Sequence, residues 1–142
     1  MREMEGYRFV GTRAVEFRDI DLAGHVNNAV YLTYLETERI DYLGEVLGTE
    51  FLSAISLIVA SVRLDFRSPA RFRERLELGT RVPRIGTKSF DMEHEIRGDD
   101  GRLVLEAASV LVAYDYDTEA SMPVPEDWRA RLDAYERSSV TT

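Results

Sequence analysis

One long helical segment followed by four consecutive strand-like segments is the feature that most constrains this fold. Across residues 29–47, apolar residues recur at helical spacing until Gly48 ends the pattern. They cover about half of the helix circumference. These positions are Tyr31, Leu32, Leu35, Ile40, Tyr42, Leu43, Val46 and Leu47. So wide an apolar face predicts a helix wrapped by a sheet.

Strand-like patterns lie on both sides of that helix. Residues 7–17 place Tyr7, Phe9, Val15 and Phe17 on one face, which predicts a strand with a bulge near Gly11. Further strands are predicted at 56–66, 75–83, 89–96 and 103–114, with a hairpin turn at 98–101. This order favours an α+β domain with a largely antiparallel sheet, one face of which packs on the helix. A short amphipathic helix is expected at about residues 126–137.

Composition narrows the classes of function. The 142 residues fit a single domain, 1–142, with its core at about 7–116. The 26 acidic and 18 basic residues give a net charge of −8, which argues against nucleic acid or a membrane as partner. The chain has no cysteine, which excludes a thiolate nucleophile and a disulfide scaffold and favours a cytoplasmic location.

Polar residues crowd the segment before the helix. Asp19, Asp21, His25, Asn27 and Asn28 fall within ten positions. An asparagine at position 27 or 28 is a good N-cap, and the free N–H groups beyond it favour a phosphate, a carboxylate or a polarised carbonyl oxygen. The alternative is an ordinary capped turn in which the glycine at 24 only supplies a positive φ, and composition alone favours that alternative.

The same segment resembles the signature of the hotdog-fold acyl-coenzyme A thioesterases, in the branch typified by hydroxybenzoyl-coenzyme A thioesterase. The matching positions are Asp19, Asp21, Gly24, His25, Val26, Asn27, Asn28, Tyr31, Glu36 and Arg39, with later landmarks at 66–72 and 88–90. The resemblance covers residues 7–116 approximately. It implies a hotdog fold, with an antiparallel sheet of about five strands around one long central helix.

The resemblance also implies an activity, the hydrolysis of acyl-coenzyme A thioesters. Asp21 would be the catalytic carboxylate, either as general base or as nucleophile, and these two roles stay open. The backbone N–H near Asn28 would polarise the thioester carbonyl. His25 is either a hydrogen-bonding partner of Asp21 or of water, or a turn residue that packs on the next subunit.

Substrate-binding positions follow from the same resemblance: Gly24, Asn27, Tyr31, Arg67, Lys88 and Ser89. Coenzyme A is part of the substrate, and no other cofactor is expected. Two distant histidines, His25 and His94, without any cysteine make a metal site unexpected. A homodimer or homotetramer is implied, in which Lys88 and Ser89 of one chain lie near Asp21 of another.

Two charged features of the sequence, a cluster of arginines and Glu36, each allow two interpretations. Arginines at 63, 67, 71, 73 and 75 suit coenzyme A phosphates or form a solvated edge with interspersed acids. Helical spacing places Glu36 in the middle of an apolar stripe, where an unpaired carboxylate would be costly. Glu36 would then form a buried ion pair with Arg39 or with a strand arginine, or it would be a second catalytic carboxylate. The ion pair is favoured.

Two other functions compete with the thioesterase. A hotdog hydratase would act on the same substrates, but its own histidine motif is absent. A non-catalytic acyl-coenzyme A sensor would be expected to carry an added DNA-binding segment, and the sequence contains no such pattern.

Overall fold

A five-stranded antiparallel sheet packs against helix α1 (Asn28–Leu47) in the computed structural model, which describes residues 4–138. The strands are β1 (Phe9–Ala14), β2 (Leu57–Phe66), β3 (Arg75–Ile85), β4 (Ser89–Arg97) and β5 (Leu103–Asp115), hydrogen-bonded in the order β1-β3-β4-β5-β2. The remaining elements are a 3₁₀ turn (Phe17–Asp19), α2 (Thr49–Ser53), β6 (Ala120–Ser121) and α3 (Glu126–Ser138). The predicted hotdog architecture is confirmed.

The ends of α1 follow from its flanking residues. Asn27 is the N-cap, because its Oδ1 accepts a hydrogen bond from the Ala29 N–H at 2.9 Å. Gly48 ends the helix with a φ of 90°, a conformation that other residues rarely adopt. The hairpin turn at residues 98–101 is also confirmed, since the Gly98 N–H donates to the Arg102 carbonyl at 2.9 Å.

The core between helix and sheet forms two clusters. One lies at the N-terminal end of α1 and includes Val26, Tyr31, Leu78 and Ile96, and the other, which includes Tyr42, Val82, Met92 and Leu132, lies at the α3 end. Thr80 and His94 sit opposite each other on β3 and β4 between these clusters, and both are buried. The Thr80 hydroxyl and His94 Nδ1 are 3.0 Å apart, so a short polar layer separates the two halves of the core.

The first strand differs from its prediction in three respects. Phe17 lies beyond the strand with 74% of its surface exposed. Tyr7 packs on the outer face, where a Cβ at Gly79 would overlap its ring, whereas Phe9 packs against Tyr42 on the helix side. The predicted bulge near Gly11 is wrong, because β1 and β3 pair without a register shift.

The rotation of α1 was also predicted incorrectly. Glu36 and Leu32 are exposed, while Glu38 is only 5% exposed. The sheet covers the side of the helix that carries Tyr31, Leu35 and Tyr42, so the stripe through Leu32 and Glu36 is left open. The buried carboxylate expected at Glu36 is therefore at Glu38. No helix within residues 4–138 is long and apolar enough to cross a membrane.

Candidate active site

Asp21 lies in a tight turn between the 3₁₀ turn and α1. Its N–H donates to the His25 carbonyl at 2.9 Å, its carbonyl accepts from the Gly24 N–H at 3.0 Å, and its Oδ1 accepts from the Ala23 N–H at 2.9 Å. Gly24 has a φ of 79° with open space where a Cβ would lie, so the backbone conformation requires this glycine. The Asp21 side chain is exposed, and its Oδ2 accepts no hydrogen bond from the described residues.

The first N–H groups of α1 have different partners. The Ala29 N–H bonds the Asn27 side chain, and the Val30 N–H bonds the Asn27 carbonyl at 2.9 Å. The Asn28 N–H has no acceptor among residues 4–138. A free donor at the positive end of a helix dipole favours an anion or a polarised carbonyl oxygen. The turn therefore combines a partly free carboxylate with a free backbone donor.

A second loop, between β2 and β3, packs against this turn. The Val26 N–H donates to the carbonyl of buried Ala70 at 2.9 Å, and His25 forms an isolated β-bridge with Arg71. The side chains of Arg71 and Arg73 are exposed, and neither forms an ion pair with a described carboxylate. The loop beside the Asp21 turn therefore carries two guanidinium groups that no carboxylate pairs with in the described part of the chain, although that of Arg73 lies 5.0 Å from the centroid of the Phe72 ring.

Aromatic side chains flank the same region. Phe17 and Phe72 pack edge to face, with ring centroids 5.9 Å apart, although both are largely exposed. Tyr31 is buried one turn into α1, and its ring centroid lies 5.8 Å from that of exposed Phe66. Exposed aromatic surface beside a polar turn is typical of a site that accepts a partly apolar ligand.

Most of the predicted site residues come together in the turn. These are Asp21, Gly24, His25, Asn27 and Asn28, with Tyr31 buried directly behind them. The Oδ1 of Asn27 is already used as the helix cap, which leaves its amide N–H₂ for a ligand. The His25 ring forms no hydrogen bond with Asp21 among residues 4–138, so its catalytic role stays a prediction.

Three predicted binding residues are not part of the Asp21 turn itself, although Arg67 begins the β2–β3 loop that packs against it. Arg67 pairs with Glu106 at 3.0 Å on the outer face of the sheet, where both line a cavity of about 340 Å³. Ser89 begins β4 and Lys88 directly precedes it, and neighbouring Phe90 belongs to the α3-side core cluster. Within one chain, Lys88 and Ser89 therefore lie at the other end of the core from the Asp21 turn, and the Arg67 side chain is engaged by Glu106.

Two buried polar side chains have contacts that were not predicted from the sequence, which indicated Tyr34 only as part of an apolar pocket. The Tyr34 hydroxyl donates a hydrogen bond to Asp19 Oδ2 at 2.6 Å, and Glu38 is buried beside Gly11. Tyr34 lies three residues after Tyr31, and that spacing on one helix face was a usable signal. The glycine in the middle of β1 was the corresponding signal for Glu38.

One group of described carboxylates lies close enough together for a metal ion. Oxygen atoms of Glu74, Asp99 and Asp100 lie within 4.8 Å of one another. Arg102 bonds Glu74 at 2.9 Å and Asp100 at 2.9 Å, so the guanidinium already compensates this negative charge. None of these residues belongs to the Asp21 turn.

Comparison with known proteins gives a consistent set of relatives. A family model described as the thioesterase-like superfamily matches residues 15–132. The long-chain acyl-CoA thioesterase FadM of Escherichia coli is 26% identical over 117 residues, which cover 80% of this chain and 89% of FadM.

Solved structures agree with that family. A thioesterase from Thermus thermophilus, complexed with coenzyme A and zinc, superposes with a TM-score of 0.86 at 33% identity, over 94% of this chain and 98% of that one. The 1,4-dihydroxy-2-naphthoyl-CoA thioesterase Slr0204 of Synechocystis has a TM-score of 0.79 at 21% identity, over 88% of this chain and 95% of that one. The similarity to Slr0204 is evidence for the fold alone.

Proposed function

The chain belongs to the thioesterase-like superfamily, and on that premise we propose that it hydrolyses acyl-coenzyme A thioesters to a free acid and coenzyme A. The proposal rests on two groups that have no hydrogen-bond partner among the described residues: the Oδ2 of Asp21 and, at the end of the same turn, the N–H of Asn28. The substrate class is supported by the similarity to FadM and to the coenzyme A complex from Thermus thermophilus. From this substrate class we also infer a cytoplasmic location.

Two chemical routes fit this geometry. As general base, Asp21 takes a proton from water while the water oxygen bonds to the thioester carbon, and the C–S bond then breaks. As nucleophile, Asp21 displaces the thiolate to form an acyl anhydride, which water then hydrolyses. In both routes the Asn28 N–H stabilises the charge that develops on the carbonyl oxygen, and the thiolate leaves as coenzyme A and is protonated.

The surroundings of the turn suit the two ends of such a substrate. Arg71 and Arg73 provide guanidinium groups that have no carboxylate partner among residues 4–138, and guanidinium binds phosphate in a bidentate geometry. We assign these two arginines to the coenzyme A phosphates in place of Arg67, which is paired with Glu106. The aromatic surface of Tyr31 and Phe66 suits the acyl group.

We further propose that two copies of the chain complete the site. Strand β2 is an edge strand of ten residues, and its exposed side chains include Ile58, Val59, Val62 and Phe66. Native proteins rarely leave a long apolar edge strand unpaired, because its backbone groups template aggregation. Pairing of β2 with β2 of a second copy about a two-fold axis would cover this edge.

Such pairing would bring the predicted binding residues to the site. Two copies of one strand related by a two-fold axis run antiparallel, so the Leu57 end of one lies beside the Phe66 end of the other. Ile58 and Ser89 both pair with Val112, which puts Ser89 at the Leu57 end. Phe66 contacts Tyr31 near the Asp21 turn. This arrangement supports the proposal that Lys88 and Ser89 of one copy face Asp21 of another.

A hydrolysis screen tests the proposed activity directly. Acyl-coenzyme A thioesters of graded chain length, together with an aromatic set, are incubated with the protein, and release of the free thiol is followed. We expect saturable thiol release with at least one class. Binding of the thioesters without any thiol release would instead identify a sensor, and release only at the uncatalysed rate without binding would reject both functions.

A further inference from the structure

Asp19 is fixed at several atoms, although it is not the proposed catalytic residue. Its Oδ2 accepts hydrogen bonds from the Tyr34 hydroxyl at 2.6 Å and from the Glu16 N–H at 2.9 Å. Its carbonyl oxygen accepts from the Asn27 N–H at 2.9 Å. One residue therefore ties the end of the 3₁₀ turn to both the cap and the buried face of α1.

The Asp21 turn lies between two residues that these hydrogen bonds hold in place, Asp19 before it and Asn27 after it. Asp21 follows Asp19 by two residues, and Asn28 follows the helix cap Asn27 by one. Inside the turn, Asp21 accepts hydrogen bonds from the N–H groups of Ala23 and Gly24, and its own N–H donates to the His25 carbonyl. These local bonds shape the turn, but its position relative to α1 depends on the contacts of Asp19 and on the bond from Val26 to Ala70.

Tyr34 is suited to act as a permanent donor in this arrangement. Its side chain is 1% exposed, and burial, together with the hydrogen bond to Asp19, raises the pKa of the phenol. The guanidinium carbon of Arg13 lies 4.6 Å from the centroid of the Tyr34 ring on the β1 side. The phenol therefore holds its proton more tightly than an exposed tyrosine does, and it remains a donor to Asp19.

We propose that Tyr34 and Asp19 are positioning residues, which set the distance between the Asp21 carboxylate and the Asn28 N–H. This inference rests on the proposed function, because it assigns a purpose to the geometry of that same site. A displacement of about 1 Å at reacting groups lowers rates by roughly 100-fold. Loss of the Tyr34 hydroxyl should therefore lower turnover more than it lowers stability or substrate binding.

The chain offers a matched control on the same helix. Tyr42 is also fully buried, and its hydroxyl donates to a carboxylate, that of Glu136, but at the far end of α1. Tyr34→Phe and Tyr42→Phe remove the same atom from the same kind of hydrogen bond. Both should lower the melting temperature by roughly 2–6 °C. Tyr34→Phe alone should lower kcat, by roughly 10- to 100-fold with little change in KM, and Tyr42→Phe should keep the parental kcat.

Two further variants separate positioning from general loosening. Asp19→Asn keeps an acceptor for the Tyr34 hydroxyl and should retain more activity than Asp19→Ala. Asp19→Ala also removes the acceptor of the Glu16 N–H, so it should lose at least as much activity as Tyr34→Phe. The double variant Tyr34→Phe, Asp19→Ala should be no slower than Asp19→Ala alone, because Asp19→Ala already removes the hydrogen bond of the Tyr34 hydroxyl. On an Asp21→Asn background, Tyr34→Phe should leave the residual rate unchanged, because the group that it positions is already lost.

The outcomes distinguish this inference from the proposed function. A folded Tyr34→Phe protein with parental kcat, beside an inactive Asp21→Asn protein, would overturn the positioning role and leave the function intact. Full activity of Asp21→Asn would overturn the catalytic assignment and with it the positioning role. Equal losses of kcat in Tyr34→Phe and Tyr42→Phe would reduce the Tyr34 effect to general destabilisation and so overturn the inference.

Discussion

The Glu38 carboxylate lies against the backbone of Gly11, and its Oε1 is buried without a hydrogen-bond partner among the described residues. A Cβ at Gly11 would overlap this carboxylate, so the glycine makes room for it. Burial, with a smaller contribution from Asp41 on the same helix, raises the pKa of Glu38 to about 7, while Arg13 on β1 opposes the shift. Glu38 therefore binds a proton more tightly in the folded chain than in the unfolded chain.

Glu38 should make stability depend on pH in a specific direction. Between about pH 4.5 and pH 7 the folded chain holds a proton that the unfolded chain has lost, so the free energy of unfolding falls as pH rises through this interval. Glu38→Gln should remove this dependence, and it should be more stable than the parent at pH 8 by about 2 kcal/mol and nearly equal to it at pH 4.5. Urea unfolding at both pH values measures the difference.

Glu36→Gln is the matched control for that experiment, because Glu36 is exposed on the same helix. Glu36→Gln should change the free energy of unfolding by no more than about 0.5 kcal/mol at either pH. Buried His94 contributes the opposite slope, because burial and then Arg39 lower its pKa to about 3, but this contribution cancels between variant and parent. An unchanged pH dependence in Glu38→Gln would contradict the assignment of the slope to Glu38.

Gly11→Ala should destabilise the protein through the same contact. Overpacking of a filled site costs about 1–3 kcal/mol, and the added methyl group overlaps the Glu38 carboxylate. In the double variant Gly11→Ala, Glu38→Ala, the loss of stability should be smaller than the sum of the losses in the two single variants, because removal of the Glu38 carboxylate leaves room for the added methyl group. Thr12→Ala, at the adjacent exposed position of β1, is the control and should change stability by less than about 0.5 kcal/mol. Strict additivity in thermal unfolding would show that Gly11 and Glu38 do not compete for space.

Glu136 should attach α3 to the core without affecting catalysis. Its carboxylate accepts from the Tyr42 hydroxyl and from the Val82 N–H, the latter at 3.0 Å beside the irregular β3–β4 pairing at residues 81–84. Glu136→Ala leaves a buried N–H and a buried hydroxyl without this acceptor, which should cost about 2–3 kcal/mol. Hydrogen exchange at the Val82 amide should accelerate, while kcat at 20 °C stays parental. A protected Val82 amide in the variant would contradict this role.

The local pattern of the sequence predicted the elements well, because apolar periodicity and the glycines at 48, 98 and 101 determine where segments begin and end. It did not predict the rotation of α1. Apolar residues line both the Tyr31 side and the Leu32 side of this helix, and only packing against β1 decides which acid is buried. The Asp21 turn is local and was predictable, whereas the position of Arg71 beside His25 depends on a long-range β-bridge.

Subunit exchange tests the proposed contribution of a second copy. An Asp21→Asn protein and a Lys88→Ala, Ser89→Ala protein should each have low activity. After mixing and reassociation, one site of a mixed dimer combines the intact Asp21 with the intact Lys88 and Ser89, so about a quarter to a half of the parental rate should return. Sedimentation equilibrium should show a dimer or larger species. A fully active monomer would contradict the shared site.

The most direct test of the central claim is the turnover of Asp21→Asn with an acyl-coenzyme A substrate that the parent hydrolyses. The amide preserves the size of the side chain and can still accept the Ala23 hydrogen bond, but it neither takes a proton nor attacks carbon. We predict a loss of at least about 100-fold in kcat with an unchanged melting temperature. Asp99→Asn, an exposed carboxylate of the β4–β5 hairpin, should retain the parental rate. Parental kcat in Asp21→Asn would contradict the account.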